Sequence, residues 1–211
     1  VNYKSKQKGR VLRYNTKYAN DKRYMGLHSL ITTGNLVNTE FAYHELPTKL
    51  DIFDEETYEK SDTDFYATIT NCESGKAEYV KIDNAIKQIE VLRATSAMPY
   101  VSKMIELDNH KYLDGGISDS IPFEKCKELG YDKIIVVLTR PGDYRKTKGN
   151  KIIPYLKYHK YPNLVKTLNN RYKDYNESLD RLKIKEEERE VFVIRPSKKV
   201  NIKRVEKNTD K

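Results

Sequence analysis

The stretch that most restricts the fold is residues 123–139. Phe123 to Leu129 reads as a short helix, Gly130 as the residue that closes it, and Lys133 to Thr139 as a strand. Within that strand Ile134-Ile135-Val136-Val137-Leu138 is apolar without a break. A strand with one wet face alternates; a continuous run is expected to be covered on both faces, as in a parallel sheet between helices. Helix, glycine, buried strand is the order of an α/β fold. Val191-Phe192-Val193-Ile194 reads as a second buried strand. Between the two, Leu164, Leu168, Tyr172, Tyr175, Leu179 and Leu182 recur every three or four residues, so residues 163–185 are expected to form an amphipathic helix with that stripe on the core.

Toward the N-terminus the signals are shorter. Residues 1–20 are polar and basic, with Tyr3, Tyr14 and Tyr18 among them, and irregular structure is expected. A helix is expected over 21–31, capped by Asn20 or Asp21 and stopped at Thr33-Gly34-Asn35. Pro47 is expected to break any regular element after Phe41 to Leu46. Asp54 caps a short helix running to Lys60. Phe65 to Thr70 and Ala77 to Ile82 form an antiparallel pair around Glu73-Ser74-Gly75-Lys76. A helix from Asn84 to Ala94, capped by Asp83, puts Ala85, Ile86, Ile89 and Leu92 on one core face. Ile105-Glu106-Leu107 and Lys111-Tyr112-Leu113 flank Asp108-Asn109-His110 as a hairpin that ends at Asp114.

Length and charge set the outer bounds. A chain of 211 residues is expected to form one domain with a sizeable core. It carries 40 basic and 31 acidic residues, a net charge of +9, unevenly spread. Residues 24–139 hold eleven basic and twenty acidic residues; residues 140–211 hold twenty-one basic and ten acidic. The basic ends offer a surface to anionic lipid, while no zinc-finger spacing or aromatic RNA-binding motif is present and nucleic acid is not the expected partner. Cys72 and Cys126 are far apart and outside metal-ligand spacing, and His28, His44, His110 and His159 form no metal or triad pattern, so neither a metal nor a cofactor is expected. No apolar run is long enough to cross a bilayer and no signal peptide is visible, so a cytoplasmic or membrane-peripheral location is expected.

The chemistry centres on Lys111-Tyr112-Leu113-Asp114-Gly115-Gly116-Ile117-Ser118-Asp119-Ser120-Ile121-Pro122. A strand delivers a carboxylate to a glycine turn, where it can orient or deprotonate a nucleophile. Asp-Gly is also the commonest short turn signal, and a plain chain reversal is the competing reading. Upstream lies Ala94-Thr95-Ser96-Ala97-Met98-Pro99, small residues ending at a proline.

This ordered set, Ala94-Thr95-Ser96-Ala97-Met98-Pro99, then Tyr112-Leu113-Asp114-Gly115-Gly116 and Ile121-Pro122, then the strand at 133–139, resembles the patatin-like phospholipase family. Asp21 to Leu27, Thr33-Gly34-Asn35 and Leu50 to Asp54 are similar to a bacterial branch of it. The resemblance implies an α/β, three-layer fold with a mostly parallel central sheet. It also implies a lipid-degrading serine hydrolase with a Ser–Asp dyad, a serine in a Gly-x-Ser-x-Gly elbow, and a glycine-rich oxyanion loop. Asp114 would be the base, Gly115 and Gly116 would shape its loop, and Thr95 and Ser96 would pack against the site. A free aspartate ionises near about 3.9 and is a weak base at neutral pH, so such a dyad depends on its burial.

The sequence departs from the family in that no Gly-x-Ser-x-Gly and no glycine-rich oxyanion loop occur in it. The resemblance therefore implies a single patatin-like domain over 1–211 of which the N-terminal part and the extreme C-terminus are missing, with an incomplete sheet. Such a piece is expected to be inactive alone and to associate with itself or with a companion segment over its open sheet. Ser96 as a substitute nucleophile has only its small neighbours to support it. The rival reading, from a different class, is a non-catalytic binding module that contacts anionic membrane or nucleic acid through its basic ends.

Overall fold

The computed structural model describes residues 1–18 and 21–201. In chain order the elements are α1 (Arg10–Thr16), α2 (Leu27–Thr33), a π-helix (Phe41–Leu50), α3 (Glu55–Glu59), β1 (Tyr66–Asn71) and β2 (Ala77–Lys81). There follow α4 (Ile89–Ala94), β3 (Ile105–Leu107), β4 (His110–Asp114), a 3-10 turn (Gly115–Ile117), α5 (Phe123–Glu128), β5 (Ile134–Val137), α6 (Ile152–Tyr158), α7 (Pro162–Glu187) and β6 (Val191–Ile194). The chain divides into two units. One holds Val1–Ile69 and Glu78–Asp114; the other holds Thr70–Ala77 and Gly115–Asn201.

The first unit carries most of a four-stranded sheet in the order β2-β1-β4-β3. Ile82 N–H donates to the Phe65 carbonyl at one end of the β1–β2 hairpin, and β3 pairs antiparallel with β4, Ile105 opposite Tyr112. Asp108 and Asn109 both take the left-handed backbone, with φ of 48° and 66°, as a tight hairpin turn requires. Parallel pairing occurs instead in the second unit, between β5 and β6. The fold is thus mixed α/β, and its larger sheet is built from antiparallel hairpins rather than the mostly parallel arrangement expected.

Four local expectations are corrected. Residues 1–20 are not all irregular: α1 forms where Arg10 and Tyr14, one turn apart, share a hydrogen bond of 2.8 Å. The helix expected over 21–31 begins only at Leu27, because Asp21 accepts from Arg23 N–H in a turn and Met25 pairs with Val37; Asn20 lies outside the described residues. Pro47 does not break the backbone but sits inside the π-helix. That wider ladder accommodates a ring that an α-turn would press against the carbonyl four residues earlier. The helix expected from Asn84 starts at Ile89, and Asp83 does not cap it. Gln88 Oε1 accepts from both Asp83 and Asn84 N–H, and Asn84 Oδ1 from Lys87 N–H, holding 83–88 as a turn.

Several other elements follow their sequence signals. Asp54 Oδ1 accepts from Thr57 N–H at 2.9 Å, a side-chain N-cap for α3. Phe53, Tyr58, Ala67, Ile82 and Ala85 form one core cluster in the first unit, and Tyr18, Phe41 and Leu46 another. An ion group links this region: the buried Asp51 accepts two hydrogen bonds from the half-exposed Arg13, at 2.7 and 2.8 Å. The buried Arg10 donates to the Asp51 carbonyl and approaches its carboxylate at 3.4 Å.

In the second unit, Ile121, Phe123, Ile134, Val136, Leu182 and Val191 make the core, with Cys126, Tyr175 and Leu179 against it. The apolar stripe of α7 therefore does pack inward. The strand at 134–137 is covered on one face only, contrary to expectation. Its alternate residues Ile135 and Val137 are 65% and 69% exposed, and Phe192 of β6 is 64% exposed. The reason is that α5 and α7 supply side chains to the inner face of this two-stranded pair, and no described element of the unit covers the outer one. The β1–β2 turn, also in this unit, abuts α7: Thr167 Oγ1 donates to the Gly75 carbonyl at 2.8 Å and Asn163 Nδ2 to the Glu73 carbonyl at 2.9 Å.

Two stability predictions follow from these contacts. Arg13, first, and then Arg10 hold the Asp51 carboxyl below its ordinary range. The stabilisation is therefore complete above about pH 4, the unfolded aspartate value, and fades as pH falls through the lower folded value. Asp51→Asn should cost about 2 kcal/mol in urea denaturation at pH 7, and the difference from the parent should shrink in acid. Gly75 has φ of 69°, and a Cβ there would stand 2.7 Å from the Asn163 carbonyl oxygen. Gly75→Ala should therefore cost more than about 1 kcal/mol in the same measurement, where an ordinary surface change costs under about half of that.

Candidate active site

Asp114 is the last residue of β4 and is half-buried. Leu113 before it is wholly buried, so the strand is anchored by its neighbour while the carboxylate residue stands at the margin of the core. The Asp114 N–H donates to the Ala97 carbonyl at 3.0 Å. This bond joins the end of β4 to the small-residue stretch after α4, two segments that are far apart in sequence. The same stretch is tied to β1, the neighbour of β4 in the sheet, by Thr95 Oγ1, which donates to the Thr68 carbonyl at 2.6 Å. Ala94 and Ala97 are buried, at 0% and 4% exposed. Larger side chains at these positions would push the loop away from the strands, which is why a run of small residues is needed there.

The structure therefore brings Thr95, Ser96 and Asp114 into one neighbourhood, and it gives the two hydroxyls structural occupations. Ser96 Oγ donates to the Leu92 carbonyl at 2.8 Å, closing back on its own helix, and lies 2.5 Å from the Tyr43 hydroxyl. Burial pushes the Tyr43 phenol up, so it stays protonated at neutral pH and can donate in that contact. Sequence reasoning missed Tyr43. Its only signal is an aromatic residue in a mixed segment, and the π-helix that carries it to Ser96 has no clear sequence signature.

A cavity of about 330 Å³ opens beside this loop within the first unit. Phe65, Ala85, Ile86, Ile89 and Leu92 give it an apolar wall, with Thr95 and Tyr43 also on its lining. Ala85, Ile86, Ile89 and Leu92 were expected to bury one core face. Ala85, Ile86 and Leu92 do pack inward, but the face, Ile89 included, also borders open space rather than solid core.

The two glycines after Asp114 belong to the second unit. Gly115 is buried, and its carbonyl accepts from Ser118 and Asp119 N–H at 3.2 and 2.9 Å, which closes the 3-10 turn Gly115–Ile117. Arg171 Nε and Ser120 Oγ each donate to the Gly116 carbonyl at 2.7 Å, fixing the second peptide from α7 and from the loop itself. Neither glycine is in the left-handed region; both lie within the 3-10 turn. Thr70 Oγ1 and Ser118 Oγ are 2.7 Å apart in the same unit. Among the described residues no group of three or more His, Cys, Asp or Glu could hold a metal ion, and no helix is long and apolar enough to cross a membrane.

Comparison with known proteins gives three matches. Residues 161–211 match a family model described as a domain of unknown function, DUF6363. The chain is 26% identical over 141 residues to the uncharacterized protein YjjU of Escherichia coli (strain K12); the match covers 63% of this chain and 36% of that protein. The chain thus spans about a third of the length of the curated relative it matches. Residues 5–127 match the model of patatin-like phospholipase, a stretch that includes the Thr95–Ala97 loop, the apolar cavity wall and Asp114. With more than half of its length matched, this chain belongs to the patatin-like phospholipase family, a family of lipid hydrolases.

Proposed function

We propose that these residues are the aspartate-bearing part of a serine acyl-lipid hydrolase, a phospholipase or other carboxylic ester hydrolase, in which Asp114 is the base of a Ser–Asp dyad. The observation that carries this reading is the placement of Asp114: half-buried at a strand end, its backbone fixed to Ala97 in the loop whose Thr95 lines an apolar cavity. The serine, in its Gly-x-Ser-x-Gly elbow, and the oxyanion donors belong to a part of the whole protein outside these 211 residues. Its hydroxyl attacks the ester carbonyl carbon while Asp114 takes the hydroxyl proton. Backbone N–H groups hold the resulting oxyanion. The intermediate collapses, the alcohol leaves with the proton from Asp114, and an acyl-enzyme remains. Asp114 then takes a proton from the water that attacks this ester and returns it to the serine oxygen as the acyl–serine bond breaks, releasing the fatty acid.

We assign the acyl chain to the cavity walled by Phe65, Ala85, Ile86, Ile89 and Leu92, whose apolar lining suits a hydrocarbon. Gly115 and Gly116 shape the loop after the base, Thr95 ties the preceding loop to β1, and Ser96 packs against the site without reacting. In the whole domain the sheet would be the larger, mostly parallel, three-layer one of the family. The exposed apolar side chains of β5 and β6 support this, because a parallel pair is ordinarily covered on both faces. A single domain over 1–211 is supported by the path of the chain, which passes between the two units after residues 69, 77 and 114. The companion segment, or failing that a second copy, would lie over the open sheet.

The rival is a non-catalytic binding module, favoured by the twenty-one basic residues of 140–211. Ester hydrolysis by the whole protein decides between them. Asp114→Asn should lower kcat by about 10² to 10⁴, the usual worth of a general base, while Ser96→Ala should stay near the parent. The 211 residues alone should show no turnover of a p-nitrophenyl ester. Parental activity in Asp114→Asn would remove Asp114 from the mechanism, and turnover by the 211-residue chain would place the nucleophile within it.

A further inference from the structure

The second unit carries a helix whose apolar side chains point the wrong way for a core. In α6, Pro154 and Tyr158 are buried, whereas Ile152, Ile153, Tyr155 and Leu156 are 64%, 50%, 63% and 70% exposed. Ile152, Tyr155 and Leu156 stand at i, i+3 and i+4, so they share one outward face. The residues around them are basic. Residues 140–166 hold eight Lys and Arg against a single acidic residue, Asp143. Arg145 is paired with Asp180, but Lys148, Lys151, Lys157 and Lys160 are exposed and have no acidic partner among the described residues.

We propose that α6 and its flanking lysines are the surface by which this protein docks on an anionic lipid bilayer. Aliphatic side chains at the centre would enter the headgroup and acyl boundary, Tyr155 would sit at the polar interface, and the lysines at the rim would meet the anionic headgroups. The charge argument alone would fit a nucleic acid equally well. The aliphatic face separates the two, because Ile152, Ile153 and Leu156 add nothing to a phosphate backbone contact, whereas a membrane rewards their transfer from water. This inference deepens the lipid-hydrolase reading by naming the face that would meet the substrate's own surface. It rests on residues separate from Asp114, so either can fail alone.

The test is sedimentation of the purified 211-residue chain with vesicles of phosphatidylcholine, with and without about 30% phosphatidylglycerol, over a sodium chloride series. Binding to the anionic vesicles should be at least about tenfold tighter than to neutral ones and should weaken with salt. Ile152→Ser with Leu156→Ser, and separately Lys148, Lys151, Lys157 and Lys160 each →Gln in one chain, should each weaken it by at least about tenfold. Asp114→Asn should bind as the parent does. These 211 residues contain no tryptophan, so Tyr155→Trp supplies one reporter that leaves the patch in place. Its emission should shift to the blue on anionic vesicles. No blue shift, or parental vesicle binding by the Ile152→Ser, Leu156→Ser chain, would overturn the proposal. So would tighter retention by single-stranded RNA that ignores the apolar substitutions.

Discussion

The hydrogen bond from Asp114 N–H to the Ala97 carbonyl is the contact on which the candidate site depends. It is a backbone bond, so it sets position without using either side chain. With Thr95 donating to the Thr68 carbonyl, it fastens one loop to the ends of two neighbouring strands. A carboxylate on a free turn would sweep through many positions. One whose backbone is fixed to a loop of buried alanines keeps a defined place at the edge of the core. The small residues at 94–97 are required by that closeness, and the exposed Ser96 is left to cap its own helix and meet Tyr43.

The Arg10, Arg13 and Asp51 group does comparable work in the N-terminal part of the first unit. It ties α1 to the end of the π-helix, so a segment with few apolar residues is still held to the core. Tyr14 shows how enclosed this region is: burial, opposed by Arg10, pushes its phenol up to about 12. The π-helix in turn carries Phe41 and Leu46 into one aromatic cluster and Tyr43 to Ser96. A segment that reads as irregular in the sequence thereby positions both the core and the neighbourhood of the site.

The second unit presents the opposite case, apolar side chains without cover. The outward residues of β5 and β6 and the outward face of α6 are similar in composition but differ in surroundings. The strand face is bare aliphatic and aromatic surface, the kind that another layer of protein covers. The helix face has exposed lysines before, within and after it in the chain, a setting that would suit an anionic interface. Buried area alone would treat the two alike; the placement of charge separates them.

Much of the architecture was legible in residue order. The β1–β2 and β3–β4 hairpins, the Asp54 cap, the stop at Gly34 and the long α7 all follow from turn chemistry and periodicity, which act within a few residues. So did the place of Asp114 at a strand end. What sequence order could not settle was anything that depends on distant partners. The π-helix through Pro47, the late start of α4 and the single covered face of β5 are decided by what packs against them. The same holds for the candidate site. The sequence determined that a carboxylate would leave a strand into a glycine turn, because strand pattern and glycine position are local. Only the tertiary structure brought Ala97 to Asp114, Thr95 to Thr68 and Tyr43 to Ser96. Those contacts join residues 17 to 53 positions apart, and chain order carries no local signal for them.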